Sequence, residues 1–171
     1  MADEQASSPG EQPSGDPRFA VDAMLGRLAR WLRVLGYDTS YDETLADAVL
    51  VELAEAQRRL LLTRDRHLLR ELRPARAVEV RQDDPLHQLR ELVSALALPP
   101  PRGLFTRCLL CNADLEAVDR EAALPLLPEG VRDLPGPVRR CPSCGRLYWD
   151  GSHVRRMRAA LERVLPGWID S

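Results

Sequence analysis

Two C-x-x-C pairs hold all four cysteines of the chain: Cys108 and Cys111 in TRCLLCNADL, Cys141 and Cys144 in RRCPSCGRLYWDGSH. Four thiolates from two tight turns complete a tetrahedral shell for one zinc ion, at about 2.3 Å per ligand. Gly145, directly after the second pair, suits the backbone of such a knuckle. With every position filled by sulfur, the metal is a structural staple rather than a Lewis acid, and His153 is not needed as a ligand. Residues 112–140 separate the pairs, a longer loop than the commonest zinc spacing, so the site must tolerate an insertion. Redox dithiol chemistry is a weaker alternative, because neither pair follows a strand and opens a helix in the thioredoxin manner. Disulfides are weaker still, since nothing marks the chain for export.

Aspartates offer a second chemistry. Asp22, Asp42 and Asp65 end short strand-like runs, Asp83 and Asp84 follow another, and Asp47 opens a helical pattern. Carboxylates facing one cleft repel each other and are driven to protonate unless a cation keeps them ionised. One or two magnesium or manganese ions would do so while gripping a phosphate oxygen. Such ions polarise a phosphodiester, generate hydroxide from water and steady the leaving oxygen, and no nucleophile triad competes for the role. Each acid also has a structural reading. Asp47 would complement a helix dipole. Asp65 and Asp84 would cap helices, with Pro85 at a first helical position. Asp22, at the end of an apolar strand, is hardest to dismiss in this way.

The elements that must position these groups are legible as alternating patterns. RFAVD, YDTSYD, RRLLLTRD and ARAVEVR read as four short strands. Ala23–Leu35 reads as a helix with Leu25, Leu28, Leu32 and Leu35 on one stripe, stopped by Gly36. Leu45–Gln57 reads as a second helix whose stripe is Leu45, Val49, Leu50 and Leu53, RHLLREL as a short third, and Pro85–Leu98 as a fourth. Alternation of strand and helix predicts an α/β fold with a parallel sheet covered on both faces. In such a sheet ligands collect at the carboxyl ends of the strands, where Asp22, Asp42, Asp65, Asp83 and Asp84 fall. Asp47 joins that edge from the first turn of its helix. Glu52, about 7.5 Å further along the axis, is a poorer candidate. Asp38 falls at the opposite edge.

Residues 1–17 lack apolar periodicity and are rich in Pro, Gly, Ser and acid, so a disordered tail is expected there. Residues 18–100 form the α/β domain, ended by LPPPRG, and 101–166 a small zinc module with a last helix from about Ser152 to Leu165. No apolar run approaches the roughly 18 residues that span a bilayer, and no signal peptide opens the chain, so a cytoplasmic protein without a membrane partner is expected. The net charge of −2 hides a basic segment. Arg139, Arg140, Arg146, Arg155, Arg156, Arg158 and Arg163 stand against only Asp150 and Glu162 there. With Tyr148, Trp149 and His153 between them, they make an electrostatic footprint for nucleic acid; Trp149 equally suits a roof over the zinc knuckle. Arg27, Arg30 and Arg33 oppose the leucine stripe of their helix, which favours a solvated surface over a phosphate grip.

FAVDAMLGRLARWLRVLGYDTSY, LADAVLVELAEAQRRLLLTRD, RCLLCNADL and RRCPSCGRLYWDGSHVRRM together resemble, in order, the PIN-like ribonuclease domain of the Mut-seven C-terminal type with its appended zinc ribbon. The resemblance covers roughly residues 18–160. It implies a PIN-like three-layer α/β/α sandwich with a parallel sheet, a small C-terminal zinc-ribbon module and a metal-dependent ribonuclease activity. It assigns catalytic roles to Asp22, Asp47 and Asp65, with Thr63 and Arg64 in the last motif. Asp38 enters as a further acid and Asp83 or Asp84 as a fourth, while Asp42 stays a possible additional acid from its place at a strand end. Many PIN domains carry Glu where Asp47 stands, so the shorter side chain requires the helix to come closer to the metal.

The combined expectation is a ribonuclease with one structural Zn2+ and one or two catalytic Mg2+ or Mn2+ ions. RNA would be held with help from Arg64, Arg139, Arg140, Arg146, Trp149, His153, Arg155 and Arg156. Two other classes remain open. One is a non-catalytic RNA-binding adaptor; the other is the toxin of a toxin–antitoxin pair, whose protein inhibitor would block the acidic cleft.

Overall fold

A computed structural model describes residues 16–169. The expected tail therefore lies outside the described residues as far as position 15. Four short strands, β1 (Phe19–Val21), β2 (Thr39–Tyr41), β3 (Leu60–Thr63) and β4 (Ala77–Glu79), form a parallel sheet in the order β2-β1-β3-β4. Phe19 is in register with Thr39 on one side and Leu60 on the other, and Leu61 with Ala77. Helices α1 (Gly26–Val34), α2 (Asp47–Ala56) and α3 (Arg66–Leu72) connect the strands, and α4 (Pro85–Ala95) follows the last.

Successive strand residues face opposite sides of a sheet, and here each side meets its own core. Phe19, Val21 and Leu62 join Leu28 and Leu32 of α1 and Leu89 and Leu92 of α4. Ala20 and Leu61 join Leu50, Val51 and Ala54 of α2 and Leu68 of α3. The result is the expected three-layer α/β arrangement, with the central strands apolar throughout because both faces are covered.

Leu25, Leu28, Leu32 and Leu35 are all buried, as their stripe predicts. The stripe expected for α2 holds in part: Leu50 is buried and Leu53 packs beside it, but Val49 is 47% exposed and Val51 and Ala54 complete the packing face. Asp47 stands one turn before this face, since 47, 50, 51 and 54 follow the i, i+3, i+4, i+7 spacing of one helical side, and is itself exposed.

The second sheet is antiparallel, with β5 (Glu116–Val118), β6 (Val138–Arg140) and β7 (Leu147–Trp149) in sequence order. Between β5 and β6 the long insertion contains α5 (Arg120–Ala123) and builds its own small core from Ala123, Leu127 and Val138, with Val131, Leu147 and Trp149 packed on it. Arg120 holds the loop by donating to the carbonyls of Gly136, Arg132 and Leu134. The last helix, α6 (Ser152–Val164), returns to α4 and inserts Met157 and Leu161 into the core beneath α1, so packing runs across residue 100 without a break. Among the described residues no helix is long and apolar enough to cross a membrane.

Candidate active site and metal centre

The carboxyl edge of β1 and β3 brings two of the expected acids to one hydroxyl. The Asp22 amide donates to the Leu62 carbonyl at 3.0 Å, which sets Asp22 beside Thr63. Thr63 Oγ1, itself buried, donates to Asp22 Oδ2 at 2.6 Å and accepts from the Asp65 N–H at 2.9 Å. Asp22 is only 6% exposed; its Oδ1 has one long contact, 3.4 Å from the Met24 amide in the 3-10 turn Ala23–Leu25. Asp65 caps α3, its Oδ1 accepting from the amides of His67 (2.7 Å) and Leu68 (3.1 Å), while Oδ2 has no hydrogen-bond partner among the described residues.

Asp47 opens α2 and is exposed, and its side chain has no hydrogen bond or ion pair among the described residues. The remaining candidates at this edge have other employment. Asp42 accepts from the amide and hydroxyl of Thr44, which hold its carboxyl below the usual range. Asp83 pairs with Arg64, and Asp84 caps α4 through Leu86 and His87, with Pro85 behind it as expected.

Asp38 lies at the amino edge, where the strand pattern puts it. It precedes β2 and accepts from Arg18 Nε at 2.8 Å, Arg59 Nη1 at 2.7 Å and Asn112 Nδ2 at 2.7 Å. Burial opposes its ionisation, but these hydrogen bonds outweigh burial and hold the carboxyl well below the usual carboxylate range. Its role there is to join β1, β2 and the first cysteine knuckle.

The four cysteine sulfurs all lie within 4.8 Å of one another, and none is in a disulfide. Cys108 and Cys144 are 3.6 Å apart at sulfur, Cys111 and Cys141 3.3 Å. A tetrahedron with about 2.3 Å Zn–S bonds has edges of about 3.8 Å, so the donor set fits zinc in number, type and spacing. The two knuckles repeat one backbone pattern. The amide of Asn112 donates to the Cys108 carbonyl and that of Gly145 to the Cys141 carbonyl, at 3.0 and 2.9 Å, with φ +70° and +74°. A left-handed turn follows each pair, and Asn is the side-chain-bearing residue that tolerates it best. Burial pushes the Cys108 thiol up, but backbone amides and the Tyr148 hydroxyl outweigh it and bring it down to about 6. Among the described residues this is the group of three or more metal-ligating side chains that stands close enough to hold an ion; the three aspartates do not form such a group as they stand.

A family model described as the Mut7-C RNAse domain matches residues 17–161, most of the chain. The chain belongs to this family. No curated protein and no solved structure matches it. Membership gives the Mut7-C chain a ribonuclease-type function and RNA as its class of substrate.

The basic residues of this Mut7-C domain divide by what they touch. Arg139 donates to the Phe105 carbonyl at 2.8 Å and fastens the ribbon, and Arg64 faces Asp83. His153 Nε2 lies 3.0 Å from Arg30 Nη2. Arg140, Arg146, Arg155 and Arg156 are exposed, and Trp149 is half-buried against the insertion core. Arg33, read from its helical position as solvated, is only 4% exposed. Its guanidinium donates to the carbonyl of Thr39 twice, at 3.0 and 2.9 Å, and to those of Leu109 and Leu110 at 3.1 and 2.7 Å, stitching β2 to the first knuckle. The sequence pattern also passed over Asn112, whose side chain bridges Asp38 and the Thr39 amide. Its position after the first C-x-x-C, matching Gly145 after the second, is the signal that finds it.

Proposed function

We propose that this chain is a metal-dependent ribonuclease whose catalytic acids are Asp22, Asp47 and Asp65. The observation that carries the reading is the Asp22–Thr63–Asp65 linkage at the carboxyl edge of a parallel sheet, in a chain of the Mut7-C RNAse domain family. The donor set is all carboxylate oxygen, which suits magnesium or manganese rather than a softer ion. When bound, such an ion supplies charge neutralisation at a phosphodiester and a water of lowered pKa. The chain's own part is orientation. Thr63 fixes the Asp22 carboxylate, the α3 cap fixes that of Asp65, and α2 carries Asp47 in its first turn. The zinc ribbon and its arginines would help to hold the RNA strand, and the four unbridged thiols suit work in the reducing cytoplasm.

Asp22→Asn tests the assignment. RNA cleavage by the wild type should require added magnesium or manganese and fall at least a thousandfold in the variant, with the thermal midpoint and RNA affinity nearly unchanged. Equal cleavage by both proteins would overturn it. A second reading, a non-catalytic RNA-binding adaptor, draws support from the aspartates not standing as a metal-holding group. It predicts RNA binding with no metal-dependent cleavage in either protein.

A further inference from the structure

Two adjoining cavities lie between α1 and the zinc ribbon. The first, about 480 Å³, begins at Ala23 and Met24, immediately after Asp22, and runs past Arg27, Arg30 and Tyr41 to Leu109 and Leu110. The second, about 520 Å³, shares Arg30, Leu109 and Leu110 and continues along Arg146, Tyr148, Trp149 and Arg155. Among the described residues neither is lined by a single Asp or Glu, although the chain as a whole is net acidic. Among the described residues the guanidinium groups of Arg27, Arg146 and Arg155 have no hydrogen-bond or ion-pair partner, so their charge is available. The floor is apolar and exposed: Met24 is 69% and Leu110 58% accessible. Tyr148 is a fixed wall, because its hydroxyl is held 3.0 Å from the Leu109 amide and 3.1 Å from Cys108 Sγ.

Uncompensated arginines along a trough with aromatic and apolar faces match the chemistry of single-stranded nucleic acid, whose backbone is anionic and whose bases need stacking partners. Each cavity is of the size that encloses a small ligand such as one nucleotide. A paired duplex keeps its bases stacked inside and presents none to such a pocket. We propose that the trough is the track of an unpaired RNA segment running from Asp22 to the ribbon, with an unstacked base seated against Tyr148 and Trp149. Selection for single strands then resides at the junction of α1 with the zinc ribbon. The inference rests on the ribonuclease reading for its choice of RNA.

The test uses the full-length, zinc-loaded protein carrying Asp22→Asn, without magnesium or manganese, so that binding is measured apart from cleavage. The probe is a fluorescein-labelled 12-nucleotide RNA, single-stranded or annealed to its complement, followed by anisotropy. The single strand should bind at least tenfold tighter than the duplex. Leu110→Glu, which sets a carboxylate where both cavities meet, should weaken single-strand binding about tenfold or more. Arg146→Ala should weaken it and make the slope of log K on log salt shallower by about 0.7. Both side chains are exposed, and zinc content with the thermal midpoint verifies folding of each variant. Arg70→Ala, an exposed arginine of α3 outside the trough, should change nothing. Equal affinity for strand and duplex, or wild-type binding by folded Leu110→Glu and Arg146→Ala, would overturn the proposal. Absence of cleavage by the wild type would instead sink the ribonuclease reading and leave the track standing.

Discussion

Asp22 and Asp65 are joined through one buried hydroxyl: Thr63 Oγ1 donates to the first at 2.6 Å and accepts from the amide of the second at 2.9 Å. A hydroxyl has one proton and two lone pairs, so accepting from Asp65 leaves its proton for Asp22. The arrangement fixes both acids with respect to β3, and it makes Thr63 a positioning residue separable from either carboxylate.

Thr63→Val should preserve the shape of the site but remove both hydrogen bonds. Groups that orient metal-binding side chains typically cost 10–100-fold in metal affinity or activity when removed, so magnesium-activated cleavage should fall by about that factor. The apparent magnesium constant should rise, and Thr63→Ser should restore most of both. A purely structural hydroxyl would lower the thermal midpoint without moving the magnesium dependence. Magnesium titrations of initial cleavage rate on the three proteins separate the two cases.

Asp38 makes the opposite edge sensitive to acid. Its folded pKa lies below the unfolded value of about 3.9. The ionised, bonded form therefore stabilises the fold fully above about pH 5, and this contribution is lost as pH falls through and below 4. Asp38→Asn leaves Arg59, 7% exposed at its side chain, without its carboxylate and should cost about 3 kcal/mol at pH 7. Its stability deficit against the wild type should shrink as pH falls from 5 towards 3. Paired urea unfolding curves at each pH cancel the acid sensitivity of the cysteines, which both proteins share. A deficit constant with pH would refute the assignment.

Much of this was legible in the residues and some was not. The leucine stripe of α1, the four strand runs and the paired cysteines carry their own periodicity or spacing, and each stands where that pattern puts it. Local periodicity cannot report what packs on a helix from a distant segment. Arg33 reads as a surface residue on the wheel of α1, yet the first knuckle covers it and takes two of its hydrogen bonds. The same limit hides how α6 belongs to the first core, because Leu161 joins that core, beside α4, only through the return of the chain past the ribbon. In α2 the expected stripe of Leu45, Val49, Leu50 and Leu53 holds only in part: Leu50 and Leu53 pack on the sheet, while Val49 turns out and Val51 and Ala54 turn in.

Zinc removal should therefore disturb more than the ribbon. One zinc per chain is expected by elemental analysis of the purified protein. Chelation frees the turn 108–112, whose carbonyls and side chain bind Arg33, Thr39 and Asp38. Hydrogen exchange should speed up in residues 106–113 and 139–149 first, and in β2 and the end of α1 with them. Protection of β1 and β3, buried at the centre of the sheet, should persist. Fast exchange limited to the ribbon would mean that the knuckle is not coupled to the sheet.

Asn112 allows the backbone and side-chain parts of that coupling to be measured apart. The residue sits at φ +70° while its amide group accepts from Thr39 N–H at 2.9 Å and donates to Asp38 at 2.7 Å. Asn112→Gly keeps the left-handed turn at no steric cost but loses both hydrogen bonds. One of these is to a charged group, so the loss should be about 2 kcal/mol. Asn112→Ala loses the same bonds and adds roughly 1–2 kcal/mol of left-handed strain. The expected order of stability is wild type, then Gly, then Ala, with zinc affinity weakened mainly in the Ala variant because only there does the knuckle backbone resist its turn. Urea unfolding with zinc held in excess reads the first comparison, and competition with a chromophoric chelator reads the second. If Gly proves as stable as the wild type, the bridge to Asp38 and Thr39 contributes nothing and the ribbon is held by its other contacts, those of Arg33 and Arg139 among them.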